Sequence, residues 1–348
     1  MFARAPKFWS RPGSLAGALL APVGWMVGAI TLHRMAKPGV GVEVPVICIG
    51  NPTVGGAGKT PTALAVLERL KARGASPFAL LRGHGGREAG PLRVDPARHD
   101  AAAVGDEALL LADAAPTIVS RDRLAGARLA VASGASHIVM DDGFQNPTLH
   151  KDAALLVVDG ASGLGNGRVL PAGPLRAPFA AQATRADALL LIGTGAPGDY
   201  LARSASDIMV LRGHLSADTG DAAALLGRRL FAFAGIGRPE KFFQTLRALD
   251  LDVAETEAFP DHHPYTPGDL SRLHGQAQAG GLCLVTTAKD LSRLRGESLA
   301  PLRAHVEVLR VRLDLEDQSR FDVLIAQAEA RAARRLSPGA AGEADSRG

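Results

Sequence analysis

"GNPTVGGAGKTPTAL", residues 50–64, decides how this chain reads. It follows the apolar run "VPVICI" (44–49) and contains Gly58-Lys59-Thr60, the closing part of the phosphate-binding pattern G-x-x-x-x-G-K-[ST]. The pattern also asks for a glycine five positions before Gly58, where Thr53 stands; Gly50 and the Gly55-Gly56 pair offer flexibility instead. Strand, loop and helix in succession separate a working loop from a chance glycine turn in a chain of 40 glycines, and that succession is present. Backbone N–H groups of Gly55, Gly56, Ala57 and Gly58 can point at phosphate oxygens. Lys59 supplies a point charge for the β- and γ-phosphates, and the Thr60 hydroxyl a ligand for Mg²⁺. Pro61 falls in the first helical turn, where its missing N–H costs nothing.

A phosphate loop of this kind also needs an acid at a strand end near the magnesium. "HIVMDDGFQ" (137–145) supplies Asp141 and Asp142 directly after an apolar strand. Read blandly, Asp142-Gly143 is only a turn signal. The runs "SPFALLRG" (76–83), "TIVSR" (117–121), "AALLVVDG" (153–160) and "DALLLIG" (187–193) read as further buried strands, with helices expected at 61–73 and 107–115. Strands alternating with helices predict an α/β fold with a mostly parallel sheet, whose ligands lie at the carboxyl ends of the strands.

A second α/β series follows in "RRLFAFAGIG" (228–237), "LDVAETEAF" (251–259) and "GLCLVTTAKD" (281–290), with a helix near 239–249. "DIMVLRGHL" (207–215) and "HVEVLRVRLDL" (305–315) read as extended segments able to pair as a two-stranded connector. In 316–336, Phe321, Leu324, Ile325 and Ala328 share a helical face. The expected organisation is an N-terminal helical segment (1–36), a P-loop domain (37–206), a two-stranded linker (207–220 and 305–316), a smaller α/β domain (221–304), a C-terminal helix (317–336) and a disordered tail (337–348).

Net charge is +4, with 47% hydrophobic and 21% charged residues, as expected of a folded protein with anionic partners. Aromatic content of 4% leaves few rings to stack on bases, which argues against nucleic acid. Cys48 and Cys283 lie far apart in apolar runs and read as buried thiols. Residues 13–32 carry no charge, while Arg4, Lys7 and Arg11 precede them and His33, Arg34 and Lys37 follow. With both flanks basic and Pro22 interrupting the run, a helix or kinked helical pair lying at an anionic membrane surface is expected rather than a span.

The segments "GNPTVGGAGKTP", "VGDEA" (104–108), "DDGFQN" (141–146), "LPAGPLR" (170–176), "AGIGRPEKFF" (234–243), "FPDHHPY" (259–265) and "TTAKD" (286–290) occur in this order. Together they resemble the tetraacyldisaccharide 4′-kinase family over roughly residues 10–330. That resemblance implies ATP- and Mg²⁺-dependent phosphorylation of the 4′-hydroxyl of a lipid disaccharide 1-phosphate in lipid A biosynthesis. It implies a place on the cytoplasmic face of the inner membrane and no protein partner. It assigns Lys59 and Thr60 to ATP and Mg²⁺, and Asp141 and Asp142 to the metal and phosphate region. Asp106 becomes the catalytic base, with His262 from the second domain paired to it on closure. Without the resemblance, Asp106 reads as a helix N-cap and His262 as part of a polar loop. Gln145 and Arg176 are further nucleotide-site candidates, and Arg82 and Arg121 candidate phosphate contacts. Asn146 stands where many relatives have histidine, and Ala177 where an acid is common. Lys289-Asp290 has the wrong spacing for a guanine-reading motif.

Two other readings compete. A partner-regulated P-loop ATPase switch carries a lysine before its glycine pair, where this chain has Val54. A non-enzymatic, membrane-docked nucleotide-binding module leaves Asp106 and the Asp141-Asp142 pair unexplained.

Overall fold

The structure, a computed structural model, describes residues 6–205, 207–295 and 298–337. The tail expected at 337–348 lies outside the described residues from position 338 onward. The chain packs as two compact units: Met1–Leu81 with Asp122–Leu215 and Leu313–Gly348, and Arg82–Arg121 with Ser216–Arg312.

In the first unit, Val46–Gly50 is the central strand, paired in parallel with His137–Asp141 on one side and Ala153–Asp159 on the other. Pro77–Leu81 extends the sheet beyond His137–Asp141, and Ala188–Ile192 then Met209–Ala217 extend it beyond Ala153–Asp159, all in parallel. Val46, Ile47, Cys48 and Ile49 are fully buried, the continuous apolar pattern of a strand covered on both faces. Because the chain leaves Val46–Gly50 toward one side of the sheet and later fills the other, a crevice opens at that strand's carboxyl end. The helix Lys59–Ala72 starts there. The extended segment read at 305–315 is two strands. Val306–Leu309 pairs with Cys283–Thr287 in the second unit, and Val311–Leu315 lies beside Met209–Ala217.

The C-terminal helix Gln318–Leu336 buries Phe321, Leu324, Ile325, Ala328 and Ala332. Its Arg335 donates to both oxygens of the fully buried Asp152, at 3.2 and 3.0 Å. Asp152 in turn accepts from the Val46 N–H at 2.9 Å, which fixes the start of the strand that carries the phosphate loop.

The N-terminal segment is one continuous helix, Leu15–Met35, with Pro22 inside it, the single helix rather than the kinked pair. The helix is inverted relative to a core helix. Gly17, Ala21, Gly24 and Gly28 are its buried residues, while Leu15, Leu19, Trp25, Met26 and Ile30 are more than half exposed. Small residues let its backbone sit directly on the segment 165–178. A Cβ on Gly24 would stand 2.7 Å from the Val169 carbonyl oxygen, and one on Gly17 3.2 Å from that of Ala172. Trp9 Nε1 donates to the Pro171 carbonyl at 3.1 Å and Asn166 Nδ2 to that of Ala172 at 2.9 Å, pinning the same seam.

The second unit holds a four-stranded parallel sheet in the order Asp252–Ala258, Arg229–Ala234, Cys283–Thr287, Val306–Leu309. Alternate residues feed two cores. Leu230, Ala232, Ala234 and Val285 pack with Phe242, Phe243 and Leu246, whereas Phe231, Phe233 and Leu284 pack with Tyr265, Leu270 and Leu273. Burying Phe243 or Phe233 in this way contributes about 2–3 kcal/mol each. Arg82–Arg121, read in sequence as part of the P-loop series, belongs to this unit through the helix Asp106–Ala112, which packs on Ala288–Arg293.

Candidate active site

The candidate side chains form two clusters, one in each unit. In the first, Gly58 is the N-cap of the helix Lys59–Ala72 with φ +91°, and a Cβ there would stand 2.5 Å from Ile192 Cδ1. Gly50 is required for a different reason: a Cβ would meet Phe144 Cβ at 2.3 Å. Gly55 adopts φ +115°, and nothing lies within 4 Å of a Cβ built on it or on Gly56, so the loop stays open at those two positions. Thr53 bridges Leu175 in antiparallel fashion, and the Val54 N–H donates to the Pro174 carbonyl at 2.9 Å. The position lacking the expected glycine is thus held by the segment 165–178 rather than by a tight turn of its own.

Thr60 Oγ1 donates to Asp141 Oδ2 at 3.2 Å. Asp142, at φ +53° where the chain leaves its strand, takes two bonds from Arg176, Nη1 to Oδ1 at 2.7 Å and Nη2 to Oδ2 at 3.1 Å. Lys59 Nζ lies 3.9 Å from Asp142 Oδ1. Burial alone would raise the Asp142 carboxyl, but the charges of Lys59, Arg176 and Arg123 and the Arg176 hydrogen bond outweigh it and hold it below the usual range. Gln145 donates to the Asn51 carbonyl at 3.0 Å and to Gln182 Oε1 at 2.9 Å, and accepts from Arg176 at 3.3 Å, so it braces the loop. A hydroxyl and two carboxylates beside an open backbone cradle fit Mg²⁺ together with a nucleotide, because Mg²⁺ completes its shell from phosphates and water. Pro61 stands in the first helical turn, as expected.

In the second unit, Asp106 is the first residue of its helix; Gly105 is the N-cap, so the capping role open to Asp106 in sequence falls away. Its Oδ2 accepts from His262 Nδ1 at 2.9 Å and from Arg293 Nε and Nη2 at 2.8 and 2.6 Å, and its Oδ1 accepts from the Glu107 N–H at 2.9 Å. Lys289 Nζ lies 3.9 Å from the same Oδ2. Burial pushes the Asp106 carboxyl up, but the His262 hydrogen bond and the Lys289 and Arg293 charges overcome this and keep it well below the usual carboxylate range. His262 itself adopts φ +59°, its N–H bound to the Gly235 carbonyl at 3.1 Å. Asp106 and His262 are therefore already paired inside one unit, and no closure is needed to assemble them.

Sequence reasoning missed Arg293, Asp290 and Gln182. The first two sit in "TTAKDLSR" (286–293), where Thr287 and Asp290 form a capping pattern and Arg293 follows one turn later. Asn146 is a turn residue whose Oδ1 accepts from Thr148, and the buried Ala177 offers its carbonyl to Gln182 at 2.7 Å. Arg121 Nη2 donates to the Arg87 carbonyl at 3.4 Å, and Arg82 is exposed. Cys48 is inert, since burial pushes its thiol up to about 12.

A glycine loop at the switch point of a parallel sheet, its lysine and threonine facing strand-terminal acids, defines a P-loop nucleotide enzyme. A family model described as tetraacyldisaccharide-1-P 4′-kinase matches residues 16–329, and the chain belongs to that family. The tetraacyldisaccharide 4′-kinase of Azorhizobium caulinodans is 57% identical over 96% of this chain and 100% of its own length. That of Xanthobacter autotrophicus is 57% identical over 94% and 98%. The crystal structure of LpxK from Aquifex aeolicus in complex with ATP superposes with a TM-score of 0.71 at 26% identity, covering 90% of this chain and 100% of that one. The chain is thus an enzyme of a kinase family, and the ATPase-switch alternative is not favoured.

Proposed function

We propose that this chain transfers the γ-phosphoryl group of ATP, with Mg²⁺, to the 4′-hydroxyl of a tetraacyldisaccharide 1-phosphate in lipid A biosynthesis. The loop cluster holds the nucleotide and the His262–Asp106 pair takes the hydroxyl proton. The observation that carries the nucleotide half is the Thr60–Asp141 hydrogen bond beside Lys59, the hydroxyl–acid pair that a magnesium–nucleotide complex uses. Thr60, Asp141 and Asp142 would hold Mg²⁺, which would supply positive charge to offset that of the phosphates. Loop N–H groups orient the phosphates, Lys59 stabilises the transferring group, and Arg176 holds Asp142 in place.

The sharing of roles in the second cluster follows from its hydrogen bonds. With three donors on Oδ2 and another on Oδ1, Asp106 is a weak base. By accepting from His262 Nδ1 it fixes the tautomer that leaves a lone pair on Nε2. His262 Nε2 then accepts the 4′-hydroxyl proton, and Asp106 orients the ring and stabilises its charged form. The N-terminal helix docks the enzyme on an anionic lipid surface at the cytoplasmic face of the inner membrane. Its exposed apolar side chains and flanking cations support this reading. The domain limits read from the sequence belong to the same proposal, except that 82–121 is grouped with the second unit.

The test is γ-labelled ATP, Mg²⁺ and the lipid disaccharide 1-phosphate with purified protein in detergent micelles. Label is expected in the lipid. Label released only as free phosphate would overturn the kinase reading.

A further inference from the structure

Arg293 makes four side-chain hydrogen bonds in the second unit, yet the proposed reaction leaves it without a task. Its side chain is 3% exposed. Nε and Nη2 go to Asp106 Oδ2, and Nη1 goes to the Gly235 carbonyl at 2.6 Å and to Asp290 Oδ1 at 2.8 Å. Asp290, fully buried, accepts in addition from the Gly235 N–H at 2.9 Å, the Tyr265 hydroxyl at 3.0 Å and the Thr287 hydroxyl at 2.7 Å. A guanidinium so enclosed has no free face for a substrate phosphate. A buried ion pair of this kind also stabilises a fold poorly compared with apolar packing, so stability alone does not account for it.

Its placement points elsewhere. The Gly235 carbonyl that receives Arg293 Nη1 also receives the His262 N–H, so one guanidinium ties the carboxylate to the backbone that carries the imidazole. We propose that Arg293, held by Asp290, is a positioning residue for the proton-accepting pair: it aims Asp106 Oδ2 at His262 Nδ1 and offsets part of that carboxylate's charge, which sets the pH range over which His262 accepts a proton. The proposal rests on the reading of His262 as proton acceptor. The other charged groups facing the pair are Lys289, Glu107 and Asp261. Lys289 is 3.9 Å from Asp106 and 3.6 Å from Glu107, and Asp261 Oδ1 is 3.8 Å from His262 Nε2.

The test is steady-state kinetics of the full chain in micelles from about pH 5 to about pH 9, bracketing the titration range of histidine. Removing a cation favours the protonated imidazole, so Arg293→Gln is expected to move the acid limb of kcat upward by about one pH unit. At neutral pH it should lower kcat by about tenfold, with KM for ATP held within about twofold. Arg293→Lys restores the limb. Asp290→Asn, which leaves the Arg293 charge less compensated, moves the limb the opposite way. These opposed displacements distinguish positioning from bracing, and Arg293→Lys with Asp290→Asn decide the matter if Arg293→Gln does not fold. A loss uniform in pH with the limb unmoved overturns the proposal. His262→Gln separates the two claims: if it keeps the wild-type limb, the reading of His262 falls. If it loses the limb while the Arg293 and Asp290 variants leave it unmoved, only the Arg293 proposal falls.

Discussion

Lys59 and Asp106 show how differently two charges are used. Lys59 has a long approach to Asp142, at 3.9 Å, and its proposed role lies with the phosphates. Lys59→Ala is expected to lower kcat by at least ~100-fold, as when a preorganised electrostatic contact to the reacting group is removed. Activity within tenfold of wild type would end its assignment. Asp106 is committed within the protein. Its carboxyl lies below the ordinary value in the folded state, so its charge stabilises the fold above the unfolded carboxylate value of about 3.9. That contribution is lost as pH falls from there toward the folded value. Asp106→Asn leaves the buried Arg293 with Asp290 as its one remaining carboxylate partner among the described residues and should cost about 3 kcal/mol at neutral pH. Urea unfolding at pH 7 and in acid checks the sign: the gap between variant and wild type should shrink on acidification. A gap independent of pH would contradict this.

Among the elements, the phosphate loop and the N-terminal helix are both built on missing side chains. Gly58→Ala combines φ +91° with a 2.5 Å approach to Ile192, and should destabilise by about 1–3 kcal/mol as well as distort the loop. Gly56→Ala has open space around it and should leave the urea midpoint within error while weakening ATP binding. Equal stability losses at both positions would show that the loop geometry is not what separates them. The loop and the Asp141-Asp142 turn were legible in sequence because each is local, strand then turn, with its chemistry in adjacent residues. The grouping of 82–121 with the second unit was not, since it depends on Asp106–Ala112 packing against a helix almost two hundred positions away. Arg293 was equally hidden. In a chain with 39 Lys and Arg, only its one-turn spacing from a capping aspartate marks it. Pro22 left a single helix or a kinked pair open in the sequence, and the structure has the single helix Leu15–Met35.

For the whole molecule, the proposed docking on lipid would draw on two separate contributions, the exposed apolar side chains of Leu15–Met35 and the net charge of +4. Sedimentation with vesicles containing anionic lipid should weaken with salt without vanishing, because only the charge contribution is screened. Leu15→Glu with Leu19→Glu should reduce vesicle binding by about tenfold and leave the melting temperature unchanged, since both side chains are more than 80% exposed. A lowered melting temperature would mean that this face is packed against protein.

The seam between Gly17, Ala21, Gly24 and Gly28 and the segment 165–178 bears on how a soluble form of this enzyme could be engineered. That segment supplies the Pro174 carbonyl to the Val54 N–H, and the Arg176 N–H to the Pro52 carbonyl. Removing the helix would therefore unroof the segment that props the nucleotide loop. A version lacking residues 1–36 should show a raised KM for ATP even on a water-soluble acceptor. A better construction keeps the helix and replaces only its outward residues, such as Leu19 and Trp25, with polar ones. The proposed docking face and the catalyst can be separated at the level of side chains, but not by a cut in the chain.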